Sequence, residues 1–303
     1  MTLARQRAAV QLLDGGGPRD PADVVGHLLA VQAQDARSFP LALAARGAPP
    51  ELGAREDLVI AWLLRGTLHL VAAEDLGWLL ALTGHLVTRR SARRLHALGV
   101  DRGDANVLLR VLEDGPGTRR EIAAGLEAAG VRADGQRTPH LLAVVAARGE
   151  AVLGTDGRYR RAEPGPPVDR DAALAELARR YLRGHAPADA RDLAAWSGLP
   201  LRDARAGLAT VAGELADAGD DLLAPADGAP TPDRPLPELL LPAFDPYLLG
   251  WRDRGFAVAP EHARTVHPGG GIIRATIVAD GRVTGTWRRD GGRVVREPFA
   301  HTR

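Results

Sequence analysis

The chain of 303 residues has no cysteine, no lysine and a single methionine. Without cysteine there are no disulfides, no thiolate-held iron–sulfur clusters and no cysteine zinc sites. Without lysine, side-chain Schiff-base chemistry is excluded, because it needs a neutral amine on a Lys; all 39 basic side chains are arginine. Abundant Ala, Arg, Gly and Pro match GC-rich coding, which replaces Lys by Arg without functional intent, and the chemical exclusion holds either way. No apolar stretch reaches the roughly 18 residues of a membrane span, since Arg, Asp, Glu or Gly interrupts each one. The start, MTLARQRAAVQLLDGGG, lacks the apolar core and cleavage site of a signal peptide, which predicts a cytoplasmic protein. A net charge of only +1 argues against a diffuse polycation, so any nucleic-acid surface must be a local patch.

The nine histidines include no His-x-x-x-His pair and no accompanying carboxylate cluster, and no P-loop or dinucleotide fingerprint occurs. Neither a metal nor a cofactor is expected. His267-Pro268-Gly269-Gly270-Gly271 has two readings, a backbone anion site or a flexible entry to a strand.

What is present is a soluble, globular composition, 45% hydrophobic and 25% charged, long enough for two or three small domains. Residues 2–13, 22–33 and 56–64 read as helices, with Asp20-Pro21 as a start signal for the second. The β-like run from Gly66 to Val71 follows, and helix resumes from Ala73, with Glu74 and Asp75 in its first turn. The pattern then repeats: 104–113, a capping-box start at Thr118-Arg119-Arg120-Glu121, and 138–148. Strand-like runs at 151–154 and 158–161 flank Thr155-Asp156-Gly157, a strong hairpin signal. Three helices closed by a hairpin describe a winged helix-turn-helix.

A linker rich in Pro and Gly crosses 162–170, after which 171–184, 187–197 and 200–211 read as three more helices. The last two have the helix–turn–helix spacing of DNA-binding modules. Beyond a Pro-rich break at 229–237, strands are predicted at 272–278, 282–288 and 293–297, separated by Asp280-Gly281 and Asp290-Gly291-Gly292. The expected fold is therefore mainly α with β, tandem winged helices followed by a small β-barrel or sheet. The domain boundaries fall at 1–103, 104–165, 166–235 and 236–303.

Within LLAVQAQDARSFPLALAAR, Gln32-Ala33-Gln34 places two amides in an otherwise apolar run. Burying an amide without a partner costs a few kcal/mol, about 1–3 by mutational measures. Either the amides bridge neighbouring backbone, or both line a cleft and handle a water or a nucleic-acid group.

Four blocks decide between these: LLAVQAQDARSFPLALAAR, LLRGTLHLVAAEDLGWLL, LLLPAFDPYLLGWRDR and GTWRRDGGRVV. In order and at plausible spacing over nearly the whole chain, they resemble the AlkZ/YcaQ winged-helix DNA glycosylases. That resemblance implies tandem winged helices plus a C-terminal β-barrel, forming a DNA-binding surface. It also implies that Gln32 and Gln34 are catalytic, matching the family's Gln-x-Gln motif, which hydrolyses the N-glycosidic bond of alkylated purines. The Gln-x-Gln form is similar to the branch associated with bulky adducts and interstrand crosslinks. The implied protein is a monomer acting on double-stranded DNA in the nucleoid, with no cofactor, in DNA repair or self-resistance. Family chains continue past the last strands with an amphipathic helix, whereas this sequence stops at EPFAHTR.

Candidate DNA contacts follow from the distribution of charge. Arg89, Arg90, Arg93 and Arg94, with His96 beside them, form the densest basic cluster; Arg90, Arg93 and Arg94 can share one helical face. Arg65 and His69 flank the first strand block, with His69 open to a packing role. Arg158, Arg160 and Arg161 lie in or beside the second wing. Arg252 and Arg254 suit either DNA or a buried ion pair with Asp245 or Asp253. Asp35 is expected to cap or to face solvent. Two rivals to the glycosylase remain, a non-catalytic winged-helix DNA-binding or regulatory protein and a small-molecule-binding regulator.

Overall fold

The computed structural model describes residues 2–101, 103–230 and 232–300. The chain divides into two compact units, one of residues 1–51 with 174–303 and one of residues 52–173. This grouping differs from four consecutive segments: residues 52–103 close a core with residues 104–173, and residues 1–51 close one with residues 174–303. Breaks in composition mark where the chain turns, whereas compactness is set by which faces bury one another.

The first unit begins with α1 (Leu3–Val10), whose Thr2 side chain accepts from the Arg5 N–H. In α2 (Pro21–Leu28), Asp20 caps and Pro21 opens the first turn, as the Asp-Pro pair predicts. The helix stops five residues short of the predicted end. Leu29 takes φ 65°, a left-handed conformation a leucine rarely adopts, and the chain becomes extended through β1 (Val31–Gln32). A short helix that the sequence pattern does not signal, α3 (Phe39–Ala44), comes next.

The second unit starts with β2 (Leu58–Trp62), a correction to the helix expected at 56–64. A short apolar run does not distinguish a buried strand from a buried helix by periodicity. Its β-branched and aromatic residues are decided by pairing, since β2 is bonded on one side to β3 (Leu68–Ala72) and on the other to β4 (Ala151–Gly154). Between β3 and β4 run α4 (Leu76–Ala97), α5 (Asp104–Glu113), α6 (Arg119–Ala128) and α7 (Arg137–Ala147). The capping box forms as predicted, with Thr118 accepting from Glu121 N–H and Glu121 accepting from Thr118 N–H. β5 (Tyr159–Arg161) completes the hairpin with β4. Leu108, Leu112, Ile122, Leu126, Leu142 and Val145 form the core beneath.

The chain re-enters the first unit in α8 (Arg170–His185), followed by α9 (Ala190–Ser197) and α10 (Leu201–Thr210). Gly198 ends α9 at φ 78°, the left-handed position the helix–turn–helix turn requires. A hairpin of β6 (Leu215–Asp217) and β7 (Leu223–Pro225) succeeds them. Then come β8 (Leu239–Leu241), α11 (Pro246–Leu249), α12 (Ala263–Val266), β9 (Thr276–Ala279), β10 (Arg282–Asp290) and β11 (Arg293–Pro298). The last strands form an antiparallel sheet in the order β11-β10-β9-β8, so of the two expected forms the described residues make the sheet. No described helix is long and apolar enough to cross a membrane.

Candidate active site and nucleic-acid contacts

Gln32 ends the short strand β1 that follows α2, and Gln34 stands at the bend after it. Burial alternates along this segment: Val31 is 0% and Ala33 5% exposed, while Gln32 is half-buried and Gln34 exposed. The two apolar residues are buried, and the two glutamines are the more accessible positions of the segment.

Asp35 belongs to the next turn. Its carboxylate accepts from the Arg37 N–H at 2.9 Å and the Ser38 hydroxyl at 3.0 Å. The Arg37 amide, with Ser38 and the Arg37 charge, holds the carboxyl below the usual range. It is therefore an ionised turn-former and a poor proton acceptor, the capping role expected of it.

Just past the end of α3 sits the fully buried Arg46. Its guanidinium donates to the Ala42 carbonyl (2.8 Å), the Gln11 backbone carbonyl (2.9 Å) and the Gln11 side-chain oxygen (3.0 Å). Two further bonds, at 3.0 and 2.8 Å, go to the two oxygens of Asp245. Gln11 in turn donates to the Gly184 carbonyl at 2.6 Å. A second buried arginine, Arg7, lies 4.7 Å from the Trp251 ring centre and 4.6 Å from that of Phe256, and donates to the Pro187 carbonyl and Asp192. The charged partners of these arginines escape sequence reasoning, because Arg46 and Asp245 are 199 residues apart and Arg7 and Asp192 185, and no local spacing signals such a pair.

In the second unit, Arg65 occupies the turn between β2 and β3 with φ 54°, followed by Gly66 at φ 72°. An arginine gains nothing from that backbone conformation, which Asn or Gly adopts more readily. His69 on β3 is 2% exposed, and its Nδ1 lies 2.9 Å from the Thr67 carbonyl. Burial, then the nearby Arg65 charge, pushes its pKa down to about 3. It is a neutral, packed imidazole bracing the turn that carries Arg65.

On α4, Arg89, Arg93 and Arg94 are exposed, while the side chain of Arg90 lies outside the described residues. Arg94 donates to Gln136 at 2.8 Å. The hairpin arginines are partly engaged within the protein: Arg158 with the Pro116 carbonyl (2.7 Å) and Glu121 (2.9 Å), Arg160 with Asp156, and Arg161 with the Glu150 carbonyl (3.0 Å). Of the two ion-pair partners considered for Arg252 and Arg254, Asp245 is taken by Arg46, and the Asp253 charge acts on Arg254 without an ion pair among the described residues. Arg252 is exposed, and half-buried Arg254 donates to the Leu248 carbonyl at 2.6 Å.

The first unit thus holds two accessible amides after α2 and a buried ionic network, and a long helix of the second unit displays arginines. The family described as DNA glycosylase AlkZ-like matches residues 25–301. The DNA glycosylase AlkZ of Streptomyces sahachiroi has a similar structure at TM-score 0.76, with 23% identity over 99% of this chain and 90% of that one. No curated protein matches the chain.

Proposed function

From the premise that the chain belongs to the AlkZ-like family of DNA glycosylases, we propose that it hydrolyses the N-glycosidic bond of N7-alkylated purines in double-stranded DNA, with Gln32 and Gln34 as the catalytic pair. The observation that carries this reading is the alternation of burial from Val31 to Gln34, in which Val31 and Ala33 are buried while Gln32 is half-buried and Gln34 exposed. Their reach extends to bulky adducts and interstrand crosslinks, the lesions expected of the Gln-x-Gln form.

The chemistry suits amides. An N7-alkylated purine is cationic and leaves without a strong general acid. Charge then develops at the sugar C1′, where a fixed amide dipole stabilises it, while the same group orients a water by donating and accepting. A glutamine cannot deprotonate that water fully, and the carboxylate next to the pair is committed to its turn. With no lysine in the chain, no side-chain amine is available to form a Schiff base, so the product is an abasic site without strand cleavage.

DNA is held, in this reading, by tandem winged helices. The α5–α6–α7 bundle with its β4–β5 hairpin and the α9–α10 pair with its β6–β7 hairpin have the required element order. Arg89, Arg90, Arg93 and Arg94 on α4 bind phosphates, with Arg65, Arg158, Arg160, Arg252 and Arg254 as further cations and His69 as the brace of the Arg65 turn. The protein acts as a monomer in the cytoplasm, on nucleoid DNA.

The test is base release from a duplex carrying a single N7-methylguanine, followed by alkaline cleavage at the abasic site. Release that disappears in Gln32→Ala or Gln34→Ala with duplex binding retained supports the proposal. A folded, DNA-binding protein that releases no base would refute it.

A further inference from the structure

The second unit carries a cavity next to the α4 arginines, with Arg93 on its rim. Beside the helical core, α4, α5 and α7 enclose it, at a volume of about 630 Å³. This volume falls within the range of roughly 300–1,000 Å³ that holds cofactors and drug-sized ligands. Its floor is apolar, made by Leu95, Ala105, Leu141 and Val144, all 9% exposed or less. These four belong to the packed core, and exposed Ala92 with half-buried Val100 supplies apolar surface nearer the mouth.

The rim is basic. Arg93, His96 and Arg148 line the opening against one carboxylate, Asp101. Among the described residues, neither Arg93 nor His96 has a hydrogen-bonding or ionic partner for its side chain. Arg148 is 3.9 Å from Glu150 and its side chain is 48% exposed, which leaves most of its donors outward. An apolar floor under a rim with an excess of cations selects by two terms: apolar area buried below, and negative charge at the mouth.

We infer that this cavity is a binding site for a small amphiphilic anion, an apolar aliphatic or aryl body bearing one carboxylate or sulfonate. The body lies on Leu95, Leu141 and Val144, and the charged group meets Arg93 and Arg148. A neutral or cationic molecule of the same size fills the floor and leaves the rim unpaired, so the site discriminates by charge.

The experiment uses the full chain and two probes, 8-anilinonaphthalene-1-sulfonate followed by fluorescence and decanoate as its competitor, with decyltrimethylammonium as the cationic control. Saturable one-to-one binding, displaced by decanoate and not by the cation, is expected. Two variants locate it. Ala92 is an exposed lining residue, so Ala92→Trp fills the cavity without touching the packed core and should weaken binding at least tenfold. The exposed double variant Arg93→Gln, Arg148→Gln should weaken anion binding about fivefold or more and abolish discrimination against the cation. Absence of saturable binding, equal displacement by cation and anion, or full affinity in Ala92→Trp would each overturn the site. Base release from N7-methylguanine, measured on the parent protein and on Ala92→Trp, separates this result from failure of the glycosylase reading; the double variant is left out of that comparison because Arg93 is also assigned to phosphate contact.

Discussion

Arg46 and Asp245, 199 positions apart, meet in a two-bond ion pair with neither side chain exposed. The pair ties the residues just past α3 to the turn that opens α11, and Gln11 at the C-cap of α1, with the Ala42 carbonyl, takes the remaining donors. Every polar atom of the guanidinium thus meets an acceptor, the condition under which burying two charges is tolerated.

Removing one partner leaves the other charge stranded. Asp245→Asn or Arg46→Met should each destabilise the protein by about 3–5 kcal/mol. The double variant should lose less than the sum, because it strands nothing. Urea unfolding of the two single variants and the double closes the cycle. Additive losses would show that the two residues stabilise separate features.

The amide pair gives a sharper expectation. If Gln32 and Gln34 orient water and stabilise the charge developing at C1′, either alanine variant should lower the single-turnover rate about 10²–10³-fold, in the range seen for loss of one preorganised donor. Affinity for lesion-free duplex should stay within about twofold. Loss of affinity in parallel with rate would make them binding residues.

The α4 arginines act through a different term. Neutralising Arg89 and Arg93 to Gln should weaken duplex binding similarly for all sequences and lower the slope of log K against log salt by about one for each phosphate left unpaired. The catalytic rate on bound substrate should hold. A salt slope equal to that of the parent protein would remove these residues from the interface.

Two histidines make stability pH-dependent. Burial pushes His69 and His185 down to about 3, the first helped by the Arg65 charge. A histidine whose folded pKa lies below its unfolded value of about 6.5 binds its proton in the unfolded chain first. Its contribution is full above pH 6.5 and falls progressively as pH drops towards 3. With both protons taken up on unfolding, stability should fall by up to about 2.7 kcal/mol per pH unit within that window. His69→Asn should remove about half of that slope. Denaturant midpoints at pH 7, 6 and 5 provide the measurement, and a flat profile in the parent would contradict the burial argument.

What the sequence disclosed was local. Thr118 and Glu121 are three residues apart and cap each other, and the Asp156-Gly157 turn joins adjacent strands, so a short window contains the whole interaction. The same holds for Asp290-Gly291-Gly292, where the turn falls as predicted. The Leu58–Trp62 strand was not legible, because partners at 68–72 and 153–154 decide it. Nor was the end of α2: no Gly or Pro marks it, and Leu29 is held left-handed by its surroundings. The Gln-x-Gln motif was visible as residue types. That a short strand and a bend, rather than helix, carry the two glutamines was not, since it depends on that unsignalled break.

A last expectation turns on the sign of one methyl group. Gly84 lies inside α4, where glycine costs about 0.5–1 kcal/mol relative to alanine in an open helix. On that ground alone Gly84→Ala would stabilise. A Cβ at this position, however, would stand 2.5 Å from the Ala147 carbonyl oxygen at the end of α7. That neighbour is backbone and cannot swing away as a side-chain tip can, so α4 and α7 must separate. Separation opens the interface over which Val87, Ala143 and Ala147 are buried. Overpacking of this kind typically costs about 1–3 kcal/mol, which outweighs the helix-propensity gain. Gly84→Ala should therefore lower the melting temperature, whereas Gly77→Ala, in the same helix with open space at its Cβ, should leave it unchanged or raise it. A stabilised Gly84→Ala would mean that the two helices do not approach this closely.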